Sequence, residues 1–93
     1  MPARYRQRGN CYVTCEALYH LLGGKRSGWK PMCMRWENDM HWFLQRGATI
    51  MDPTVSQFKR RPNYALAKGK GFLTVKPSKR AKALMGQLVW QQA

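Results

Sequence analysis

Three residue types in one order carry the chemistry of attack on a carbonyl: a cysteine, a histidine and an aspartate. His41 sits in a stretch where Met40, Trp42 and Leu44 alternate with His41, Phe43 and Gln45, the period of a β-strand. Gly47 offers a turn, Ala48 to Met51 return, and Pro53 stops the second strand. His41 then stands at the start of one strand and Asp52 at the end of its antiparallel neighbour. A histidine held at one nitrogen by a carboxylate is the base and orienter of a nucleophilic triad. Cys11, at the predicted start of a helix, supplies the nucleophile. Unpaired N–H groups and the positive end of the helix dipole favour thiolate, the attacking form. Arg6 and Arg8 add positive charge nearby.

Each residue also has an ordinary reading. Buried cysteines act as small hydrophobes, a strand histidine is often merely half-buried, and Asp-Pro-Thr is a common turn and helix start. The ordered set points to chemistry, not any one member. Cys15, one turn after Cys11, reads as core. Cys33, on the strand before His41, reads as packing.

The elements that must position the triad follow in order. Met1 to Arg8 reads as a basic arm. Asn10 caps a helix over Cys11 to Leu22, with Cys11, Cys15, Leu18 and Leu22 on one face and Val13, Ala17 and Leu21 beside it. Gly23-Gly24 ends it. Lys25 to Pro31 is a loop, Met32 to Trp36 a strand, and Glu37-Asn38-Asp39 a tight turn. After the hairpin, Thr54 to Phe58 predicts one helical turn, capped by Thr54 or Asp52. A basic loop follows over Lys59 to Lys68, then a last strand over Gly71 to Val75. Ser78 caps a final helix whose buried stripe is Ala81, Leu84, Met85, Leu88 and Val89. No internal repeat or second domain is evident. The expectation is one α+β domain over residues 1–93, a small antiparallel sheet flanked by an N-terminal and a C-terminal helix.

Composition narrows the function classes. With 93 residues and 44% hydrophobic content, the chain is long enough to fold around a modest core. No apolar run is long enough for a membrane span, and no signal core follows the N-terminal charges. Three cysteines do not suggest a disulfide scaffold. These features predict a reduced, cytoplasmic protein of a bacterial or phage-infected cell, in the host cytoplasm if phage-encoded. Lys and Arg number 17 against four acids, for a net charge of +13. All four acids (Glu16, Glu37, Asp39, Asp52) lie at or before Asp52, and the chain beyond is basic. Such a field attracts polyanions, nucleic acid first among them.

Cys, then His on a strand, then Asp on the next is the order of papain-like and transglutaminase-like thiol enzymes. More closely, Arg8-Gly9-Asn10-Cys11-Tyr12-Val13-Thr14, Leu21-Leu22-Gly23-Gly24, His41-Trp42-Phe43-Leu44 and Ile50-Met51-Asp52-Pro53-Thr54-Val55-Ser56-Gln57-Phe58 resemble blocks of the small YunG-like bacterial proteins. That family carries a Gly-Gln-Cys-like helix start, a Gly-Gly helix end, a His-Tyr-Trp-like strand and an Asp-Leu-Thr-x-x-Gln-Phe-like segment. The resemblance covers residues 8–58 and implies a minimal thiol-enzyme scaffold without naming a substrate. Papain-like enzymes also place a glutamine before the nucleophile for the oxyanion. Here Gln7 and Asn10 are the only nearby amides, and neither matches that spacing. The basic C-terminal third has no counterpart in the family.

The leading expectation is a cysteine-nucleophile enzyme with Cys11, His41 and Asp52 as its triad and a protein or other amide-bearing substrate. It would hydrolyse, deamidate or transfer acyl groups, with no cofactor. The alternative is a non-catalytic, strongly basic phage or mobile-element protein that binds nucleic acid or a host nucleoprotein complex. Lys59, Arg60, Arg61, Lys79, Arg80 and Lys82 would form its positive rim, with Trp29, Trp36, Tyr64 or Trp90 stacking on bases. A metal site from Cys11, Cys15, Cys33, His20 and His41 lacks a C-x-x-C knuckle, so no metal is expected.

Overall fold

The computed structural model describes residues 11–72 and 75–92. The first helix, α1, spans Cys11–Leu21. Its expected cap, Asn10, and the basic arm lie outside the described residues. The Gly-Gly end is as expected: Gly23 and Gly24 take φ of 113° and 65°, a region that glycine enters without a Cβ clash. A single 3₁₀ turn over Gly24–Ser27 then leads into the sheet.

Four strands form an antiparallel sheet in the order β3-β2-β1-β4. They are β1, Lys30–Trp36; β2, Asp39–Arg46; β3, Thr49–Met51; and β4, Lys68–Gly69. Trp36 pairs with Asp39 across the β1–β2 turn. Both residues between them, Glu37 and Asn38, have positive φ, 49° and 66°, as a tight primed turn requires. The last strand differs from expectation. It is the two residues of β4, not Gly71 to Val75. Gly71, Phe72 and Val75 lie outside any strand, and residues 73 and 74 are outside the described set. Phe72 instead turns its ring to the core, against Trp42, Tyr12 and Tyr19.

Both faces of β2 are buried: His41, Trp42, Phe43 and Leu44 are all at 7% exposure or less. Alternation within β2 therefore separates two packed layers, not core from solvent. On one face Trp42 and Leu44 join Cys33, Trp29, Cys11 and Cys15, with Tyr12, Leu18, Tyr19, Met51 and Phe72 around them. On the other, the segment after β3 covers His41 and Phe43 with the rings of Phe58 and Tyr64. A second cluster joins the far side of α1 to α2, which spans Lys79–Gln92. Val13 and Ala17 meet Ala81, Leu84 and Met85 there. So α1 lies between sheet and α2, and the residues read as lying beside its apolar face have a partner of their own. No helix among the described residues is long and apolar enough to cross a membrane.

Ser78 caps α2 as expected, its Oγ accepting from the Ala81 N–H at 3.2 Å. The cap has a partner that sequence reasoning did not foresee. Glu16, 1% exposed, accepts from the Ser78 N–H at 2.9 Å and from the Ser78 hydroxyl at 2.8 Å. In a capping box the glutamate comes from the same helix, three residues on. Here α1 supplies it, so one side chain fixes where α2 begins. Glu16→Ala leaves both Ser78 donors without their acceptor and should cost roughly 2–3 kcal/mol. Glu16→Gln, which keeps an acceptor oxygen, should cost about half as much. Urea unfolding followed by circular dichroism checks this, and equal midpoints for wild type and Glu16→Ala would reject the anchoring role.

Candidate active site

The register of the sheet explains how α1 reaches β2. Arg46 and Thr49 pair across a tight turn, as do Leu44 and Met51. Backbone groups of even-numbered β2 residues therefore point towards β3. But β3 ends at Met51, opposite Leu44. The carbonyls of Met40 and Trp42 point the same way and find no strand. The α1 thiols take that place: Cys11 Sγ lies 3.3 Å from the Met40 oxygen and Cys15 Sγ 3.1 Å from the Trp42 oxygen. The spacing fits, because four helical residues rise about 6 Å and two strand residues about 6.8 Å. The helix thus runs along an open strand edge, where Cys11 can meet a side chain from the other face.

That side chain is His41, which is fully buried. Its Nε2 is 2.7 Å from Asp52 Oδ2, and Cys11 interacts with the ring from α1. With Nε2 committed to Asp52, Nδ1 is the nitrogen left for the sulfur. Phe58 packs edge-on to the imidazole at 4.6 Å and Phe43 lies flat beside it at 6.0 Å. The chain after Asp52 turns at once. The Asp52 carbonyl, and not a capping side chain, accepts from the Val55 N–H at 3.4 Å, and the helical turn is a 3₁₀ turn over Val55–Gln57. This turn lays Phe58 over His41.

The three sequence candidates therefore come together. Burial pulls the His41 pKa down, but the hydrogen bond that the ring donates to Asp52, the interaction with Cys11 and the charges of both outweigh it and push it up to about 9. The imidazole thus holds a proton at neutral pH. Burial, with the charges of Cys11 and Asp52 behind it, pushes the Cys15 thiol well above its usual range. Burial also raises Cys33, against the opposing charge of Lys70. Both read as packing thiols, as expected.

No protein-family model, curated protein or solved structure matches this chain. The site is therefore read from its own geometry.

Sequence reasoning missed Tyr64 as part of the site. Its hydroxyl donates to Asp52 Oδ2 at 2.7 Å, and its ring packs on Phe43 at 4.8 Å. That use removes it from the candidate stacking rings. Trp29 is buried beneath the Arg46 guanidinium. Trp36 lies under Arg60 and donates to the Arg60 carbonyl at 3.2 Å. The side chain of Trp90 is outside the described residues. Among the described residues no three His, Cys, Asp or Glu side chains gather in a set that could hold an ion.

Lys59, Arg60 and Arg61 are exposed and directly follow Phe58. Glu37 holds this stretch by accepting from the Lys59 and Arg60 N–H groups at 3.5 and 3.1 Å. Arg61 lies over the Tyr64 ring at 5.7 Å. Lys79, Arg80 and Lys82 are exposed as well, but on α2, which packs against the Val13 and Ala17 side of α1. Two separate elements thus carry the six cations of the expected rim.

The raised His41 value sets a pH dependence of stability. Unfolded histidine loses its proton near pH 6.5, whereas native His41 keeps it to about pH 9. The native state binds the extra proton between these values, so this contribution is full below about pH 6.5 and is lost as pH rises through about 9. Urea midpoints of wild type should fall more steeply between pH 6.5 and 9 than those of His41→Gln. Parallel curves would show that the pair does not shift His41.

Proposed function

We propose that this protein is a small papain- or transglutaminase-like thiol enzyme acting on a carbonyl or amide substrate, by hydrolysis, deamidation or acyl transfer. One observation carries the reading: a helix-start cysteine beside a buried histidine whose Nε2 is 2.7 Å from an aspartate. The order of the resemblance to YunG-like proteins supports it. Cys11 is the nucleophile, His41 the proton carrier and Asp52 the orienter of His41.

The steps follow from where the protons stand. Cys11 thiolate attacks the substrate carbonyl carbon, forming a C–S bond while the carbonyl electrons move to oxygen. The Cys11 backbone N–H, at the positive end of α1, suits that oxyanion. When the intermediate collapses, the C–N bond breaks and the leaving amine takes the proton from His41. His41, now neutral, is the base for the second half. It removes a proton from water or an acceptor amine as that group attacks the thioester, and Cys11 leaves as thiolate. His41 already holds its proton at neutral pH, so its acid role comes first in contact with substrate.

An iodoacetamide-type probe at neutral pH should label Cys11 ahead of Cys15 and Cys33, whose pKa values are raised. Cys11→Ser should abolish the fast phase, and His41→Ala should slow it by about 100-fold. Labelling that ignores Cys11 and follows Cys15 or Cys33 would overturn the assignment.

A second reading is favoured by the loop of Lys59, Arg60 and Arg61. Glu37 and Trp36 hold its backbone while all three cations stay exposed, an arrangement suited to an anionic partner beside the triad. If that partner is nucleic acid, each phosphate contact should steepen the log–log salt dependence by about 0.7 to 0.9. Binding to single- and double-stranded DNA and to RNA should then weaken from low to physiological salt, and further when the three are changed together to Ser. A flat salt response, or no loss in the triple variant, would reject a nucleic-acid site here.

A further inference from the structure

We propose that Tyr64 is a fourth member of the site, a positioning residue that fixes the Asp52 carboxylate against His41. This rests on the Cys11–His41–Asp52 reading only for its catalytic consequence, because the contact itself is between Tyr64, Asp52 and His41.

Two donors converge on a single atom. His41 Nε2 and the Tyr64 hydroxyl each lie 2.7 Å from Asp52 Oδ2. The other oxygen, Oδ1, is buried and has no hydrogen-bond partner, and the Asp52 side chain is only 5% exposed. A carboxylate has two in-plane lone pairs on each oxygen. Here both bonds fall on one oxygen, so the far oxygen offers no hold against rotation about the carboxyl bond. Tyr64 supplies that hold. Its phenol brings a donor without adding charge, and its ring is fixed from both sides, edge-on to Phe43 at 4.8 Å and beneath Arg61 at 5.7 Å. Asn63 sets the turn that aims it, its side chain accepting from the Ala65 N–H at 3.3 Å.

The charged and titratable groups around this centre are few. Cys11 and Cys15 face it from α1, Asp52 from the end of β3, and Tyr64 and Arg61 from the loop that follows. Burial, then the bond to Asp52, push the Tyr64 hydroxyl far above its ordinary range, so it remains a donor wherever His41 titrates. Removing that donor frees the carboxylate to turn its unpartnered oxygen and weakens the hold on His41.

Tyr64→Phe tests this, because it deletes the hydroxyl and leaves the ring on Phe43. The His41 midpoint is read by NMR of the imidazole nitrogens, and the alkylation rate of Cys11 across pH in parallel. The midpoint should fall from about 9 by at least half a pH unit, and the neutral-pH alkylation rate by about tenfold. Lys30→Gln, an exposed charge change on β1, should hold the midpoint near the wild-type value. An unchanged or higher His41 midpoint in folded Tyr64→Phe would overturn the proposal. If Cys11 is unreactive in wild type yet the midpoint falls in Tyr64→Phe, the positioning role stands and the enzyme reading fails. If Cys11 is reactive and the midpoint does not move, the reverse holds.

Discussion

A strand edge left open by a short partner organises this molecule. β3 covers β2 only from Leu44 to Arg46, and the next carbonyls along that edge belong to Trp42 and Met40. Buried carbonyls need donors. Two cysteines one helical turn apart meet them, so α1 lies along the gap as a third strand residue pair would. Thiols are weak donors, so these contacts hold the helix to the edge less firmly than a strand ladder would. Had β3 continued past Met51, Cys11 would have no edge to occupy, and His41 would be screened from α1 by a strand. The Asp52-Pro53 step prevents that continuation, since proline offers no ladder donor. The same step leaves Asp52 beside His41. One truncation thus admits the helix and delivers the carboxylate.

Burying an imidazole that keeps its proton requires close opposite charge, and Asp52 supplies it 2.7 Å from Nε2. Asp52 holds one nitrogen and Cys11 meets the ring from α1. Phe58 and Phe43 exclude water from the rings between, which strengthens each of these interactions. The cost is that every member depends on the others. A buried imidazolium without Asp52, or Asp52 without its two donors, would be an uncompensated charge.

Much of this was legible in the sequence, for identifiable reasons. The hairpin, the Gly-Gly helix end and the Ser78 cap follow from local rules, and each is present. The meeting of Cys11, His41 and Asp52 was readable because strand alternation and one turn fix where each lies. What escaped is what depends on distant partners. The segment from Gly71 has strand-like residues, but the β1 edge is taken by Lys68 and Gly69, and Phe72 packs into the core instead. Tyr64 follows Pro62 and Asn63 in a loop, and nothing local signals that its hydroxyl will meet Asp52. Glu16 sits within a helix whose faces were assigned by apolar spacing, and its partner is 62 residues away. A lone acid beside the widened apolar face of α1 was the available signal.

The four carboxylates make the same point from charge. In a chain of net charge +13, an acid is scarce, and none of these is idle. Glu16 receives the start of α2. Glu37 receives the backbone of the basic loop. Asp39 accepts from the Met40 N–H at the start of β2, and Asp52 holds His41 and Tyr64. Each accepts from backbone or ring groups at a junction between elements. Negative charge thus fixes the architecture at its joints, whereas Lys59, Arg60, Arg61, Lys79, Arg80 and Lys82 keep their positive charge on the surface. A fold built this way can carry a strongly positive field without weakening its own joints, because the groups that hold the joints are short-range donors to carboxylates. The positive field is then free to extend from the surface at longer range.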